Sequence, residues 1–71
     1  MIKWTILNEV NRVLGLEGYV TGEDYDIGCD SDDIILKVYT DDIITIESII
    51  LGAGFTAYVL GNRILVGEVV R

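Results

Sequence analysis

Between Thr21 and Asp33 the chain reads TGEDYDIGCDSDD, six carboxylates without a cation. Aspartates alternate at Asp24 and Asp26 and again at Asp30 and Asp32. Two chemistries are open to such a stretch: ligation of a hard divalent cation, or display of negative charge to a basic surface. A calcium loop needs oxygen ligands at its first, third and fifth positions, a glycine at the sixth and a glutamate at the twelfth. Counted from Asp24, Gly28 falls on the third ligand and Cys29 on the glycine. Counted from Asp30, Ile34 and Ile35 fall on those positions, and Asp41 stands where the glutamate belongs. Neither register builds a selective site. Weak Ca²⁺ or Mg²⁺ binding is the most this loop offers, and no metal or cofactor is expected.

Covalent and acid–base chemistry find little to work with. The chain has no histidine and a single thiol, Cys29, whose sequence neighbours are acidic. Nearby carboxylates disfavour the thiolate that a nucleophile requires, so Cys29 reads as a small loop or edge residue. Paired carboxylates hydrolyse glycosides only across a substrate cleft, and 71 residues leave little material for its walls. Gly52-Ala53-Gly54 follows a helical pattern instead of opening one, so its amides are not presented to a phosphate at a helix N-terminus. The expectation is a protein that is not an enzyme.

Charge is the more informative signal. The net charge is −7, yet Val13 to Asn62 holds ten acids and one cation, Lys37, for a local charge of −9. The remainder, with four cations and two acids, carries +2. Such a field repels nucleic acid and anionic membranes and speeds encounter with basic surfaces. Aspartates two apart on one strand face lie ~6.6–7 Å apart, close to the interval of backbone phosphates. The expected partner is therefore a basic protein, with Glu23, Asp24, Asp26, Asp30, Asp32 and Asp33 as the surface that meets it. Direct binding of nucleic acid or membrane is not expected.

These carboxylates must be positioned by a small fold. At 51% hydrophobic residues the chain is too apolar to stay disordered, and its length admits one domain, residues 1–71, with a modest core. One cysteine excludes an internal disulfide and points to a reducing, cytoplasmic setting. Asn8, Glu9, Asn11 and Arg12 interrupt the apolar start where a signal peptide needs an unbroken run. Ile43 to Leu60 approaches the length of a membrane span with only Glu47 charged. The Gly52–Gly54 break and the strand pattern after it read instead as the end of a helix and a hairpin.

Ile2, Ile6, Leu7, Val10, Val13 and Leu14 form one helical stripe over residues 2–14, which Gly15 is placed to stop. A strand is expected over Asp24–Gly28, with Tyr25 and Ile27 on one face and Asp24 and Asp26 on the other. An acidic loop, CDSDDI, joins it to the strand DIILKVYT. A second helix is expected over Asp41–Leu51, capped by Thr40, with Asp41 and Asp42 in its first turn and Ile43, Ile46, Ile49, Ile50 and Ala53 on its core face. FTAYVL-GN-RILVGEVV then predicts a hairpin in which Val59 faces Ile64 and Tyr58 faces Leu65.

The order α-β-β-α-β-β predicts an α+β fold, a small two-layer sandwich with two helices on one face of a four-stranded, largely antiparallel sheet. Trp4 falls off the first helix's stripe, and Ile44 and Leu51 lie opposite the second helix's core face. With Tyr58 on the sheet's outer face, joined there by Leu60, Leu65 and Val69, they form a candidate apolar interface. The final strand, if it lies at a sheet edge, could pair with a second copy. Size and charge fit a small acidic inhibitor that mimics nucleic acid, of the kind expected among viral anti-restriction and anti-CRISPR proteins. The rival is a self-associating assembly protein, a homo-oligomer whose acidic loop only keeps it in solution.

Overall fold

The first helical stripe folds as expected but runs further. The computed structural model describes residues 3–30 and 33–68, and within them α1 spans Lys3–Leu16. Its buried side chains are Ile6, Leu7, Val10 and Leu14, the i, i+4 and i+7 positions of one face. Gly15 lies inside the helix and does not stop it. The stop is at Gly18, whose φ of +93° places it in the left-handed region, where a side chain would be strained. There Gly18 N–H donates to the Gly15 carbonyl at 3.1 Å and Tyr19 N–H to the Leu14 carbonyl at 3.0 Å, the paired bonds of a Schellman cap.

Two hairpins follow the two helices. Strands β1 (Tyr25–Asp30) and β2 (Asp33–Val38) precede α2 (Ile43–Gly52), and β3 (Phe55–Leu60) and β4 (Arg63–Glu68) follow it. All neighbours pair antiparallel in the order β1-β2-β4-β3. The β3–β4 register is the one the Gly61–Asn62 turn dictates, with Val59 opposite Ile64 and Tyr58 opposite Leu65. The β strands of the second half begin thirty residues after those of the first, 55 against 25 and 63 against 33. Ile35 and Leu65, equivalent positions thirty residues apart, consequently face each other on the β2–β4 ladder. The chain is thus two helix-hairpin units joined through their second strands, a sharper internal repeat than the sequence suggests.

Both helices pack on one face of this sheet. Ile34, Leu36 and Val38 of β2, Ile64 and Val66 of β4, and Tyr25 of β1 meet the α1 stripe and Ile46 and Ile50 of α2 in one core. Among the described residues no second layer covers the opposite face, and the architecture is the expected two-layer α+β sandwich. Among the described residues no helix is long and apolar enough to cross a membrane. The apolar run from Ile43 divides at Gly54, where φ of +96° turns the chain from α2 into β3.

Several boundaries differ from expectation. β1 starts at Tyr25 and continues through Cys29 to Asp30, because Gly28 and Cys29 pair with Ile35 and Ile34. The hairpin connection is therefore shorter than CDSDDI. α2 begins at Ile43, not Asp41, with Asp42 in the cap position but no side-chain cap bond. Thr40 Oγ1 instead accepts from the Asp42 N–H at 3.1 Å, a local turn that keeps Asp41 and Asp42 out of the first helical turn. Ala53 falls just past the helix and is exposed. The final strand, β4, is not an edge: it pairs on both sides, and the edges are β1 and β3.

Candidate functional site

The expected acidic surface is divided by the length of the hairpin. Glu23 and Asp24 lie at the start of β1, Asp26 on its outer face, and Asp33 at the far end, where β2 begins. Asp32 lies outside the described residues, as do Ile2 and Val69, and of Asp30 only the backbone is described. Between Asp33 and the residue opposite Asp26, Lys37, four strand steps span ~13 Å. The carboxylates therefore form no single strip along one strand. Asp24 also departs from the expected alternation: it precedes β1, and its Oδ2 accepts from the Val20 N–H at 2.7 Å, closing the turn that leads into the strand.

What the fold assembles instead is an acidic end. Antiparallel pairing sets the start of β1 beside the end of β2, and Tyr39 N–H donates to the Asp24 carbonyl at 2.9 Å. The loop after α1 and the loop before α2 therefore meet. Tyr19, half-buried between them, donates its hydroxyl to Asp42 Oδ2 at 3.4 Å. Partial burial, the charge and hydrogen bond of Asp42, and the charges of Asp24 and Glu17 all hold the Tyr19 phenol above its ordinary value. Asp42 meets the hydroxyl directly, and Asp24 and Glu17 act on it through their charge alone. Glu17, Asp41 and Asp42 belong to this surface, and a linear reading of TGEDYDIGCDSDD misses them. The hairpin register holds the signal, since residues flanking a hairpin on the same side must converge.

Asp26 is engaged separately. Tyr39 donates its hydroxyl to Asp26 Oδ2, and this bond, with burial and the Asp26 charge, raises the Tyr39 phenol as well. An ionised phenol at either site would lose its donated bond and repel the carboxylate. The stability these hydroxyls contribute is therefore present below the ordinary phenol value of ~10 and fades as pH rises through the higher folded value. Titration of phenolate ultraviolet absorbance is expected to show Tyr19 and Tyr39 ionising above that range. Asp42→Asn should lower the Tyr19 midpoint and Asp26→Asn that of Tyr39; midpoints that stay in place would show that the carboxylates do not set them.

Tyr25 anchors this end to the core. Its ring is fully buried, and its hydroxyl donates to Asn11 Oδ1 on α1. Thr21 Oγ1 lies 3.0 Å from both the Asn11 oxygen and the Tyr25 oxygen. Every described buried side-chain polar atom has a partner, so this network holds the loop in place without leaving an unsatisfied group.

No protein-family model matches this chain, and no characterised protein or solved structure does so either. The site is therefore read from its own residues. Among the described residues no three His, Cys, Asp or Glu side chains gather as metal ligands. Cys29 is exposed on the edge strand. Among the described residues two open depressions stand out, one of about 310 Å³ beside Gly28, Lys37 and Arg63, and one of about 400 Å³ between Asn8, Arg12 and Phe55. In the second, Arg12 Nε donates to Glu9 Oε1 at 2.9 Å, and this bond holds the Glu9 carboxyl below its usual range. The four apolar candidates, Trp4, Ile44, Leu51 and Tyr58, are 64%, 64%, 50% and 61% exposed. Trp4, Ile44 and Leu51 belong to the helical layer and Tyr58 to the outer face of the sheet.

Proposed function

We propose that this protein is a non-enzymatic binding module whose acidic end engages a basic protein that itself handles nucleic acid. The observation that supports this reading most is the meeting of the loop after α1 with the loop before α2, through the Tyr39–Asp24 backbone bond and the Tyr19–Asp42 hydrogen bond, which gathers Asp24 and Asp42 at one end of the fold, with Glu17, Glu23 and Asp41 exposed near them in sequence. Among the described residues the one ion pair is Arg12–Glu9 on α1, so these carboxylates carry their charge to the surface uncompensated. Such a cluster offers a basic groove what a run of phosphates offers, fixed negative charge on a rigid frame. The shallow surface depressions fit a binding protein better than an enzyme, which needs an enclosing pocket.

The test is retention of nucleic-acid-binding proteins on the immobilised chain at ~50 mM and ~500 mM salt, with duplex DNA as competitor. Retention is expected at low salt, with loss at high salt and on addition of DNA. A variant carrying Glu17→Gln, Glu23→Gln, Asp24→Asn, Asp41→Asn and Asp42→Asn should bind about 100-fold more weakly. Asparagine at 24 keeps the acceptor for the Val20 N–H, so the fold should survive, as circular dichroism will report. Retention unchanged in that variant, or flat with salt, removes the reading.

A further inference from the structure

The outer face of the sheet has its own pattern, independent of the acidic end. Register places Asp26, Lys37, Arg63 and Leu60 in one row across the four strands. The next row is Gly28, Ile35, Leu65 and Tyr58. The first row is polar at its centre and the second is apolar. Lys37 and Arg63 are cross-strand partners, and like charges directly opposite each other repel. Among the described residues neither forms an ion pair, and the carboxylate nearest in register, Asp26, takes the Tyr39 hydroxyl. Asp33, exposed, stands on the same face of β2 two residues before Ile35, as Lys37 stands two residues after it.

We propose that this bare face binds a second copy of the chain, sheet to sheet, about a two-fold axis running across the strands through Ile35 and Leu65. That axis lays the apolar row on itself and sets each Lys37 over the partner copy's Asp33. Charge selects it over the alternative axis, parallel to the strands between β2 and β4, which would set Lys37 against the other copy's Arg63. The same axis brings Asp26 opposite the partner copy's Asp30 on the edge strand, a like-charge contact, so the preference for this axis rests on the central Lys37–Asp33 pairs, the alternative axis offering Lys37 no carboxylate. Four strands at ~4.8 Å and six residues at ~3.3 Å give a face of roughly 20 by 20 Å. Counted on both copies that is ~800 Å², below the ~1,000 Å² of a stable interface, so the dimer is weak and forms only at high concentration. The acidic end lies outside it and stays free for a basic partner.

Sedimentation equilibrium from micromolar to about 1 mM tests the proposal. The mass is expected to move from one chain toward two, and Tyr58→Glu, at an exposed position, should hold it at one. Lys37→Glu and Asp33→Lys should each weaken association about tenfold or more. The double variant Lys37→Glu/Asp33→Lys should recover it, because residues 33 and 37 are ~13 Å apart on one strand and can satisfy each other only between copies. Circular dichroism melts check that each variant folds. A single-chain mass at the highest concentration overturns the proposal. So does a dimer indifferent to Tyr58→Glu and to both charge reversals, which would move the interface to Ile44 and Leu51. Retention of an oligothymidylate that Lys37→Glu abolishes would overturn it too, by assigning the face to a polyanion.

Discussion

Tyr25→Ala is expected to remove about 3–5 kcal/mol of stability, the range for deleting a buried aromatic ring. A 71-residue domain has on the order of 4–10 kcal/mol in total, so the variant should be largely unfolded at room temperature or close to it. Tyr25 is the largest fully buried side chain, and it joins the first residue of β1 to α1 through Asn11. Its loss opens a cavity between helix and sheet and leaves the Asn11 and Thr21 pair without its third member. Tyr25→Phe separates the two effects. It keeps the ring and removes one hydrogen bond, which contributes about 1 kcal/mol. Urea denaturation followed by circular dichroism measures both. An alanine variant that loses less than about 2 kcal/mol would show that the ring does not fill the core as its burial implies.

Tyr25 also marks how much of the fold could be read from residues alone. Its alternation with Ile27 placed it inward, and the Gly61–Asn62 turn set the second hairpin's register residue by residue. Both are local signals. The end of β1 was not legible, because Gly28 and Asp30 have little strand preference of their own and the strand is carried past Gly28 by the pairing of Cys29 with Ile34 and of Asp30 with Asp33. The start of α2 was missed for a similar reason. Asp41 and Asp42 suit a first helical turn, but the turn closed by Thr40 and the attraction of Tyr19 place them in the loop.

The candidate site was half legible. Composition located the acidic segment, and the fold then divided it, sending Asp33 to one end of the hairpin and Glu23 and Asp24 to the other. Asp42 reaches Tyr19 across 23 residues of sequence, a proximity that no local pattern carries. The strand order left a subtler trace. Ile34 and Leu36 on β2 and Ile64 and Val66 on β4 are large and branched, whereas the inward positions of β1 and β3 include Cys29 and Ala57. The difference is one of coverage and not of size, since β1 also carries Tyr25 and β3 Phe55: the inner strands' residues are buried, whereas Ile27, Phe55, Ala57 and Val59 on the edge strands are only partly so.

That contrast sets the second large effect. Leu36 and Ile64 are cross-strand partners on the two inner strands, and both are fully buried. Flanked by Ile27 and Val59 in the same row, they join the first half of the chain to the second. Leu36→Ala is expected to lose about 3 kcal/mol, within the ~2–5 kcal/mol seen for such deletions. The remaining wall is backbone and branched side chains, which collapse poorly into the space. Ile64→Val should lose about 1 kcal/mol. Because the two side chains share one site, the double variant should depart from the sum by roughly 0.5 kcal/mol or more. Val59→Ala, on the half-buried edge strand, should cost less than Leu36→Ala even though it too removes methyl groups. If chemical denaturation ranks Val59→Ala equal to Leu36→Ala, the edge strands contribute as much as the β2–β4 junction, and the two halves are not held together chiefly by their inner strands.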